Sequence, residues 1–309
     1  MVRSPSGRKG RFAALWAVLV SLVVLGIAAC SPGTSPSVPP AVVTQASRAA
    51  VSGGAPSTER DLTVGGIRRT YLAIGAAGKP GRPLLIVLHG RGYTARQESI
   101  RTGFLPYAER GLADLVYPQG TANSWNAGHG CCGRASAANV DDVGFVTGVA
   151  DDAIRYFGSD PKRVYLVGYS NGARLTFEEM CRHPALFAGF ATYGALPPAM
   201  CEGPPKPVLI AAGAADTLVR GEGSFTGTVA QWRSRDGCPS ADSVTHSGPL
   251  TLTTWAGCHD GTAVASALYH GIGHPWPAVK AGEVPFTAGV GAQAAAATVM
   301  WNFLTAHPA

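Results

Sequence analysis

The sequence predicts an α/β protein in which helices cover both faces of a mostly parallel sheet. From about residue 61 onward, short apolar runs alternate with segments that have helical spacing. These runs are apolar throughout, which is typical of strands that are buried on both sides. No internal repeat divides the 309 residues, so we expect one folded domain at residues 61–309.

The elements are predicted in chain order from composition and from the residues that bound them. The first two strands, at 67–74 and 83–88, are separated by a turn-rich stretch at 75–82. Apolar runs between Gly and Pro residues predict the later strands, and helical spacing of apolar residues predicts the helices. The later strands are predicted at 114–118, 163–167, 190–194 and 207–212, and the helices at 143–157, 171–182 and 289–306. A further apolar run spans 262–269.

Residues 1–29 are predicted to be a secretion signal. Four basic residues precede an apolar run at 12–25, which ends in the letters LGIAAC at 25–30. Small residues directly before a cysteine resemble a bacterial lipobox, which implies that Cys30 becomes the first mature residue and carries two acyl chains. An ordinary cleaved signal and an uncleaved helix are the alternatives.

A tether is predicted between this signal and the domain. Residues 31–60 are rich in Ser, Pro, Gly and Ala and contain no aromatic residue, so they cannot bury enough apolar surface to offset the entropy of ordering. We therefore expect a disordered tether at 30–60 that begins at the lipidated Cys30. The protein would then be exported and anchored to the outer face of the cell membrane, or released from it.

The charge of the chain does not indicate a nucleic-acid partner. There are 25 basic and 19 acidic residues, but four of the basic ones precede Cys30, which leaves 21 against 19 elsewhere. This balance does not predict a basic binding surface. We expect contact with a membrane only through the lipid anchor, and the oligomeric state stays open.

Six cysteines follow Cys30, and an even number in an exported chain favours disulfides. A metal site would need C-x-x-C spacing or clustered histidines, and the sequence has neither. No metal or organic cofactor is expected. Pairing by proximity in sequence gives Cys181–Cys201 and Cys238–Cys258. Cys131 and Cys132 are then bridged to each other or partly free.

The letters GYSNG at 168–172 are the strongest catalytic signal. They match G-x-S-x-G, with a predicted strand directly before and a predicted helix directly after. In this context Ser170 lies on a sharp turn that exposes its hydroxyl at the carboxyl end of the sheet. The backbone N–H of Asn171, at the helix N-terminus, can stabilise an oxyanion. The sequence therefore predicts an α/β-hydrolase fold with Ser170 as the nucleophile.

A serine nucleophile needs a base that is oriented by an acid, and in this fold the acid precedes the histidine. Asp216 follows the strand at 207–212 and is the predicted acid. A turn or helix cap is its alternative role. The competing acids, all in turn-like stretches, are Asp236, Asp242 and Asp260.

His274 is the predicted base, because it lies in a Gly- and Pro-rich loop between the run at 262–269 and the last helix. His270 and His259 are the nearest alternatives. The second oxyanion donor is expected from the loop after the strand at 83–88. There the backbone N–H of Arg91 is preferred, since glycines on both sides let the loop fold over the site. A plain glycine-rich turn is the alternative.

Several motifs recur together and in order, namely HG at 89–90, SWNAGHGCCG at 124–133, VDDVGFV at 140–146, GYSNGA at 168–173, the aspartate at 216 and GHPWP at 273–277. Together they resemble the polyhydroxybutyrate depolymerase and feruloyl esterase family, of the carbohydrate esterase family 1 kind, and within it the actinobacterial lipoprotein esterases. The resemblance covers residues 62–306. It implies the triad Ser170, Asp216 and His274, with Trp125 and Trp276 near the acyl or polymer groove. Packing in the core or at the rim is the alternative for both tryptophans.

Residues 196–206 alone separate the strand near 190–195 from the next one, which is too short for a cap domain. An uncapped site is open, and this predicts short acyl chains or esters carried on a polymer rather than buried long-chain lipids. We therefore predict a cell-envelope serine esterase. An envelope acyltransferase with the same triad, and a non-catalytic envelope-binding protein on this scaffold, are the alternatives.

Overall fold

The computed structural model describes residues 55–76, 79–240, 243–279 and 286–307. The predicted signal peptide, Cys30 and residues 31–54 of the predicted tether lie outside these residues. Within the described ranges, no helix is both long and apolar enough to cross a bilayer.

The strands and helices have the following bounds. The strands are β1 (Ser57–Val64), β2 (Ile67–Ile74), β3 (Leu84–Leu88), β4 (Asp114–Pro118), β5 (Val164–Tyr169), β6 (Gly189–Tyr193), β7 (Val208–Gly213), β8 (Ser243–Ser247), β9 (Leu250–Trp255), β10 (Val264–Tyr269), β11 (Trp276–Ala278) and β12 (Thr287–Gly289). The α-helices are α1 (Ala95–Arg101), α2 (Leu105–Glu109), α3 (Gly133–Ala137), α4 (Asp142–Phe157), α5 (Asn171–Arg182), α6 (Thr217–Glu222), α7 (Phe225–Arg235) and α8 (Ala296–Ala306). Single turns of 3₁₀ helix occur at Thr121–Asn123, Pro184–Leu186 and His259–Gly261.

A ten-stranded sheet forms the centre of the domain, in the order β1-β2-β4-β3-β5-β6-β7-β10-β9-β8. The six strands from β4 to β10 in this order run parallel to one another, and antiparallel strands close both edges. Parallel strands bring their carboxyl ends to one edge of the sheet, so residues that follow β3, β5, β7 and β10 meet there. The predicted site residues follow these strands in the sequence, so they belong to this edge of the sheet.

Two apolar layers hold the helices against the sheet. Alternate residues of one strand point to opposite faces, so Leu85 and Val87 of β3 belong to one layer and Leu84 and Ile86 to the other. The first layer includes α8, and the second includes α4, α5 and α7. The prediction of a mostly parallel sheet covered on both faces is confirmed.

The folded domain begins earlier than predicted. The expected tether reached residue 60, but β1 starts at Ser57 and pairs with β2 over its full length, from Ser57 opposite Ile74 to Val64 opposite Ile67. The first half of this edge strand is polar and exposed. Backbone pairing with β2 contributes to holding this strand in place, and composition does not reveal such pairing.

The last helix begins later than predicted. Residues 287–289 form β12, which pairs with β11, and α8 starts only at Ala296. Gly289 and Gly291 lie in the part that was expected to be helical. Glycine costs about 1 kcal/mol relative to alanine inside a helix. The prediction gave too much weight to the alanines of this segment and too little to its two glycines.

All six cysteines of the domain are paired. The disulfides Cys181–Cys201 and Cys238–Cys258 confirm the pairing by proximity. Cys131 and Cys132 are bridged to each other rather than free. This last bridge lies in the loop before α3.

Candidate active site

Ser170 lies on the turn that joins β5 to α5. Its backbone has φ 53° and ψ −117°, a conformation that residues other than glycine rarely adopt. The flanking glycines allow this turn: a Cβ atom on residue 168 would collide with the carbonyl oxygen of Gly172, and one on residue 172 would lie 2.5 Å from the carbonyl oxygen of Leu88. The N–H of Ser170 donates to the carbonyl oxygen of Tyr193 at 2.8 Å, which ties the turn to β6.

The structure brings Ser170, His274 and Asp216 into one hydrogen-bonded chain. Nε2 of His274 lies 2.8 Å from Oγ of Ser170, and Nδ1 lies 2.7 Å from Oδ2 of Asp216. Asp216 also caps α6, because its Oδ1 accepts the N–H groups of Leu218 and Val219 at 2.9 and 3.3 Å. The two roles that the sequence left open for Asp216 are therefore filled by its two different oxygens.

The charge state of this chain follows from its partners. Burial of Asp216 favours the neutral acid, but the hydrogen bond and charge of His274, together with the two cap N–H groups, outweigh it and lower the pKa of this carboxyl. Asp216 is therefore ionised at neutral pH and accepts a hydrogen bond from the Nδ1–H group of His274. Nε2 is then free to accept the hydroxyl proton of Ser170. The His274 side chain is 25% exposed, so the site is open to solvent.

The competing acids and histidines that the structure describes have other partners or positions. Asp236 is buried in an ion pair with Arg235 at 2.7 Å. Asp260 lies in an exposed 3₁₀ turn, and Asp242 falls outside the described residues. His270 is hydrogen-bonded to Oγ1 of Thr251 at 3.0 Å. His259 uses its backbone N–H to bind the carbonyl oxygen of Asp236 at 2.8 Å.

Two tyrosines that sequence analysis did not single out hold the loop of His274. The hydroxyl of Tyr193 lies 3.0 Å from the carbonyl oxygens of both Gly273 and Pro275, and the hydroxyl of Tyr169 donates to the carbonyl oxygen of His274 at 3.2 Å. Both are the last residues of parallel strands, at the edge where the site forms. Their position at the ends of parallel strands could have marked these tyrosines as candidates for the site, although tyrosines at strand ends also occur in ordinary hydrophobic cores.

Of the two predicted oxyanion donors, Asn171 follows Ser170 directly in the chain, and Arg91 follows Gly90 in the loop that approaches the serine. Asn171 is the first residue of α5, so its N–H has no acceptor within the helix. The loop that contains Arg91 folds over the serine, since a Cβ atom on residue 90 would lie 3.3 Å from Cβ of Ser170. The neighbouring N–H of Gly92 is already bound to the carbonyl oxygen of Asn123 at 2.7 Å.

The resemblance places Trp125 and Trp276 near the acyl or polymer groove, whereas the structure shows both packed in the core, which is the alternative role that the sequence left open. Both side chains are 0% exposed. The indole N–H of Trp125 donates to the carbonyl oxygen of His89 at 2.7 Å, and that of Trp276 to the carbonyl oxygen of Thr102 at 3.1 Å. Internal carbonyl groups thus satisfy both indole N–H groups, as buried tryptophans require.

Metal chemistry has no evident ligand set here. Among the residues that the structure describes, no three His, Cys, Asp or Glu side chains are grouped so that they could hold a metal ion. The chemistry that the arrangement supports is nucleophilic attack by a serine that is activated by a histidine.

Comparisons with known proteins indicate a carboxylic ester hydrolase. No protein-family model matches the chain. A relative described as "Putative esterase NocK", from Nocardia uniformis subsp. tsuyamanensis, is 27% identical over 84% of this chain and 88% of its own length. The bifunctional acetylxylan esterase/xylanase XynS20E of Neocallimastix patriciarum is 26% identical over 63% of this chain, which spans only 29% of that protein.

A solved structure decides the fold. The acetyl xylan esterase from Aspergillus awamori aligns with a TM-score of 0.55 at 15% identity, over 70% of this chain and 94% of that one. The chain has the α/β-hydrolase fold. The predicted fold class is thereby confirmed. In this α/β hydrolase, the serine turn follows β5, and the aspartate and histidine come from the loops that follow β7 and β10.

Proposed function

We propose that this α/β hydrolase is a serine esterase of the cell envelope that removes short acyl groups, or cleaves esters carried on a polymer, by two-step acyl transfer. The chain is a carboxylic ester hydrolase, in keeping with its esterase relatives. The observation that carries the proposal is the hydrogen-bonded chain from Ser170 through His274 to the ionised Asp216.

The first half-reaction forms an acyl-enzyme. Nε2 of His274 takes the hydroxyl proton of Ser170 as Oγ attacks the ester carbonyl carbon, and the N–H groups of Asn171 and Arg91 stabilise the oxyanion. Asp216 stabilises the imidazolium. The tetrahedral intermediate collapses when His274 passes its proton to the leaving alcohol, which breaks the carbon–oxygen bond.

The second half-reaction reverses these roles with water as the nucleophile. Nε2 of His274 takes a proton from water, the resulting hydroxide attacks the acyl carbon, and the proton returns to Oγ of Ser170 as the carboxylic acid leaves. No group outside these residues is required for proton balance.

An open site supports the preference for short or polymer-borne acyl groups. Residues 194–207 alone connect β6 to β7, so nothing inserted there covers Ser170. A quarter of the His274 side chain reaches solvent. The named activities of acetyl xylan esterase relatives, and the resemblance to polyhydroxybutyrate depolymerases and feruloyl esterases, are consistent with esters that project from a polymer.

A panel of p-nitrophenyl esters tests the substrate class. We expect kcat/KM to be highest for acyl chains of about two to four carbons and to fall at least tenfold by about twelve carbons, because an open cleft buries little of a long chain. Acetylated xylan, feruloylated oligosaccharide and polyhydroxybutyrate are the polymer substrates to compare. A preference for acyl chains of about twelve carbons or longer would contradict an open site.

The envelope location rests on the sequence of residues 25–30 and is tested separately. In cells of a lipoprotein-exporting bacterium, the wild-type protein is expected to incorporate labelled fatty acid and to sediment with membranes. Cys30→Ser is expected to lose both properties while it retains esterase activity, because two acyl chains give stable attachment and the catalytic domain is separate. A wild-type protein that takes up no lipid would contradict the anchor.

A further inference from the structure

The side chain of Asn171 has no part in the reaction described above, yet Asn171 is only 4% exposed and its carboxamide is hydrogen-bonded through both its oxygen and its nitrogen. Its Oδ1 accepts the backbone N–H of Trp125 at 2.8 Å, and its Nδ2 donates to the carbonyl oxygen of Trp125 at 3.1 Å. One carboxamide therefore pairs with both main-chain polar groups of a single residue, as an adjacent β-strand would. The backbone of Trp125 is fixed against the first turn of α5, directly beside the nucleophile.

Trp125 carries this constraint to the opposite side of the site. Its indole N–H donates to the carbonyl oxygen of His89 at 2.7 Å, and its ring lies 4.6 Å from the imidazole of His89, centroid to centroid. His89 begins the loop that contains Arg91. A single buried side chain thus joins the two segments that supply the predicted oxyanion donors.

The ring of His89 controls the orientation of the second donor. The N–H of Gly120 donates to Nε2 of His89 at 2.9 Å, so the ring proton is on Nδ1, which donates to the carbonyl oxygen of Gly90 at 2.8 Å. Burial lowers the pKa of His89 to about 4, so the imidazole is neutral at pH 7. The carbonyl of Gly90 and the N–H of Arg91 belong to one planar peptide unit and point in opposite directions. Fixing this carbonyl therefore fixes the direction of the Arg91 N–H.

The loop of Trp125 is anchored by Asp142, the first residue of α4. The N–H of Asn126 donates to Oδ2 of Asp142 at 2.6 Å, and Asp142 forms a buried ion pair with Arg69 at 2.6 Å. The guanidinium of Arg69 lies 3.8 Å from the ring centroid of Phe145. These contacts give the VDDVGFV motif at 140–146 a role, since it supplies both Asp142 and Phe145.

We propose that Asn171, Trp125 and His89 form one buried frame that holds the two oxyanion donors in a fixed mutual geometry, with Asn171 and His89 as positioning residues. The proposal rests on the proposed function, because it assigns roles within the same site. Preorganised donors stabilise the transition state more than the ground state, so a loosened frame lowers kcat and leaves substrate binding nearly unchanged.

Asn171→Ala tests the frame, because it removes the carboxamide and keeps the backbone N–H. We expect kcat for p-nitrophenyl acetate to fall about 10- to 100-fold, less than the roughly 10²- to 10³-fold loss of a whole donor. KM is expected to change less than about threefold, and the midpoint of the pH profile of kcat/KM to stay where it is, since the triad is untouched. The inhibition constant of a short alkylboronic acid, whose serine adduct is tetrahedral, is expected to rise by the same factor as kcat/KM falls.

Thr176→Val is the matched control. It removes a buried hydrogen bond of the same helix, from Oγ1 of Thr176 to the carbonyl oxygen of Gly172 at 3.0 Å, without touching Trp125. We expect its kcat to remain within about twofold of the wild-type value, because the lost hydrogen bond lowers only the stability of the fold. All rates are expressed per active site, by titration with a chromogenic phosphonate, so that misfolded protein does not count.

A double-mutant cycle tests whether the frame acts as a unit. Trp125→Phe removes the indole N–H together with part of the buried ring system and is also expected to lower kcat. If the two residues act through one frame, Asn171→Ala/Trp125→Phe loses little beyond the worse single variant, whereas independent contributions multiply. Multiplying losses, an unchanged kcat in Asn171→Ala, or an effect on KM alone would each overturn the proposal.

The outcomes for the frame and for the esterase are distinguishable. The frame alone would be overturned if the wild-type protein turns over esters, Ser170→Ala does not, and Asn171→Ala does so at an unchanged rate. Wild-type protein that turns over no ester would overturn the proposed function and the frame with it.

Discussion

Replacement of Ser170 by alanine is expected to lower kcat for p-nitrophenyl acetate by about 10⁴- to 10⁶-fold, because no acyl-enzyme can form without its hydroxyl. A small residual rate remains, since the oxyanion donors and the bound geometry still favour attack by water. Steady-state kinetics on purified protein, with thermal unfolding measured alongside, give both the loss and the state of the fold.

Ser224→Ala is the control for this experiment. Ser224 caps α7 by accepting the N–H of Gly227 at 3.0 Å and has no contact with the triad. Its loss is expected to cost about 1 kcal/mol of unfolding free energy and to leave kcat unchanged. Equal activity of Ser170→Ala and wild type would support the alternative hypothesis that the chain is a non-catalytic binding protein.

Asp216→Asn is expected to lower kcat by about 10⁴-fold. The asparagine can turn its NH₂ group toward Nδ1 of His274, which favours the tautomer that has its proton on Nε2 and so removes the acceptor for the Ser170 hydroxyl. The imidazolium formed during attack also loses its stabilising charge. Kinetics at neutral pH measure this loss, and Asp236→Asn, which alters the buried competitor instead, is expected to retain at least about half of wild-type kcat.

The same substitution has a predictable pH signature in stability. The pKa of Asp216 is lower in the folded protein than in the unfolded chain, so its contribution is complete above the unfolded value and is lost as pH falls through the folded one. The difference in unfolding free energy between wild type and Asp216→Asn is therefore expected to shrink below about pH 4. Urea denaturation at pH 7 and near pH 3 measures this, and a difference that grows on acidification would contradict the assigned charge state.

The central strands were predictable because each is buried on both faces, so that its apolar run is visible in the sequence. The edge strands were not. Ser57–Val64 and Ser243–Ser247 are largely exposed and polar, and they are strands because a neighbouring backbone pairs with them. Such pairing depends on the tertiary fold and leaves little trace in composition.

The three residues of the triad were predictable from order and from strand ends, because the fold brings the carboxyl ends of β5, β7 and β10 to one edge. The role of Trp125 was not. A tryptophan in a motif can face substrate or the core, and only the packed structure shows that its indole reaches the carbonyl group of His89. The side chain of Asn171 was missed for the same reason, since its partner lies 46 residues earlier in the chain.

Reaction with a p-nitrophenyl alkylphosphonate, followed by intact and peptide mass spectrometry, tests most directly whether the assembled triad activates Ser170. Wild-type protein is expected to gain one adduct, located on Ser170, with loss of esterase activity in parallel. Ser170→Ala is expected to gain none, and Asp216→Asn to react far more slowly. An adduct on a different residue, or ester turnover that persists in fully labelled protein, would contradict the account.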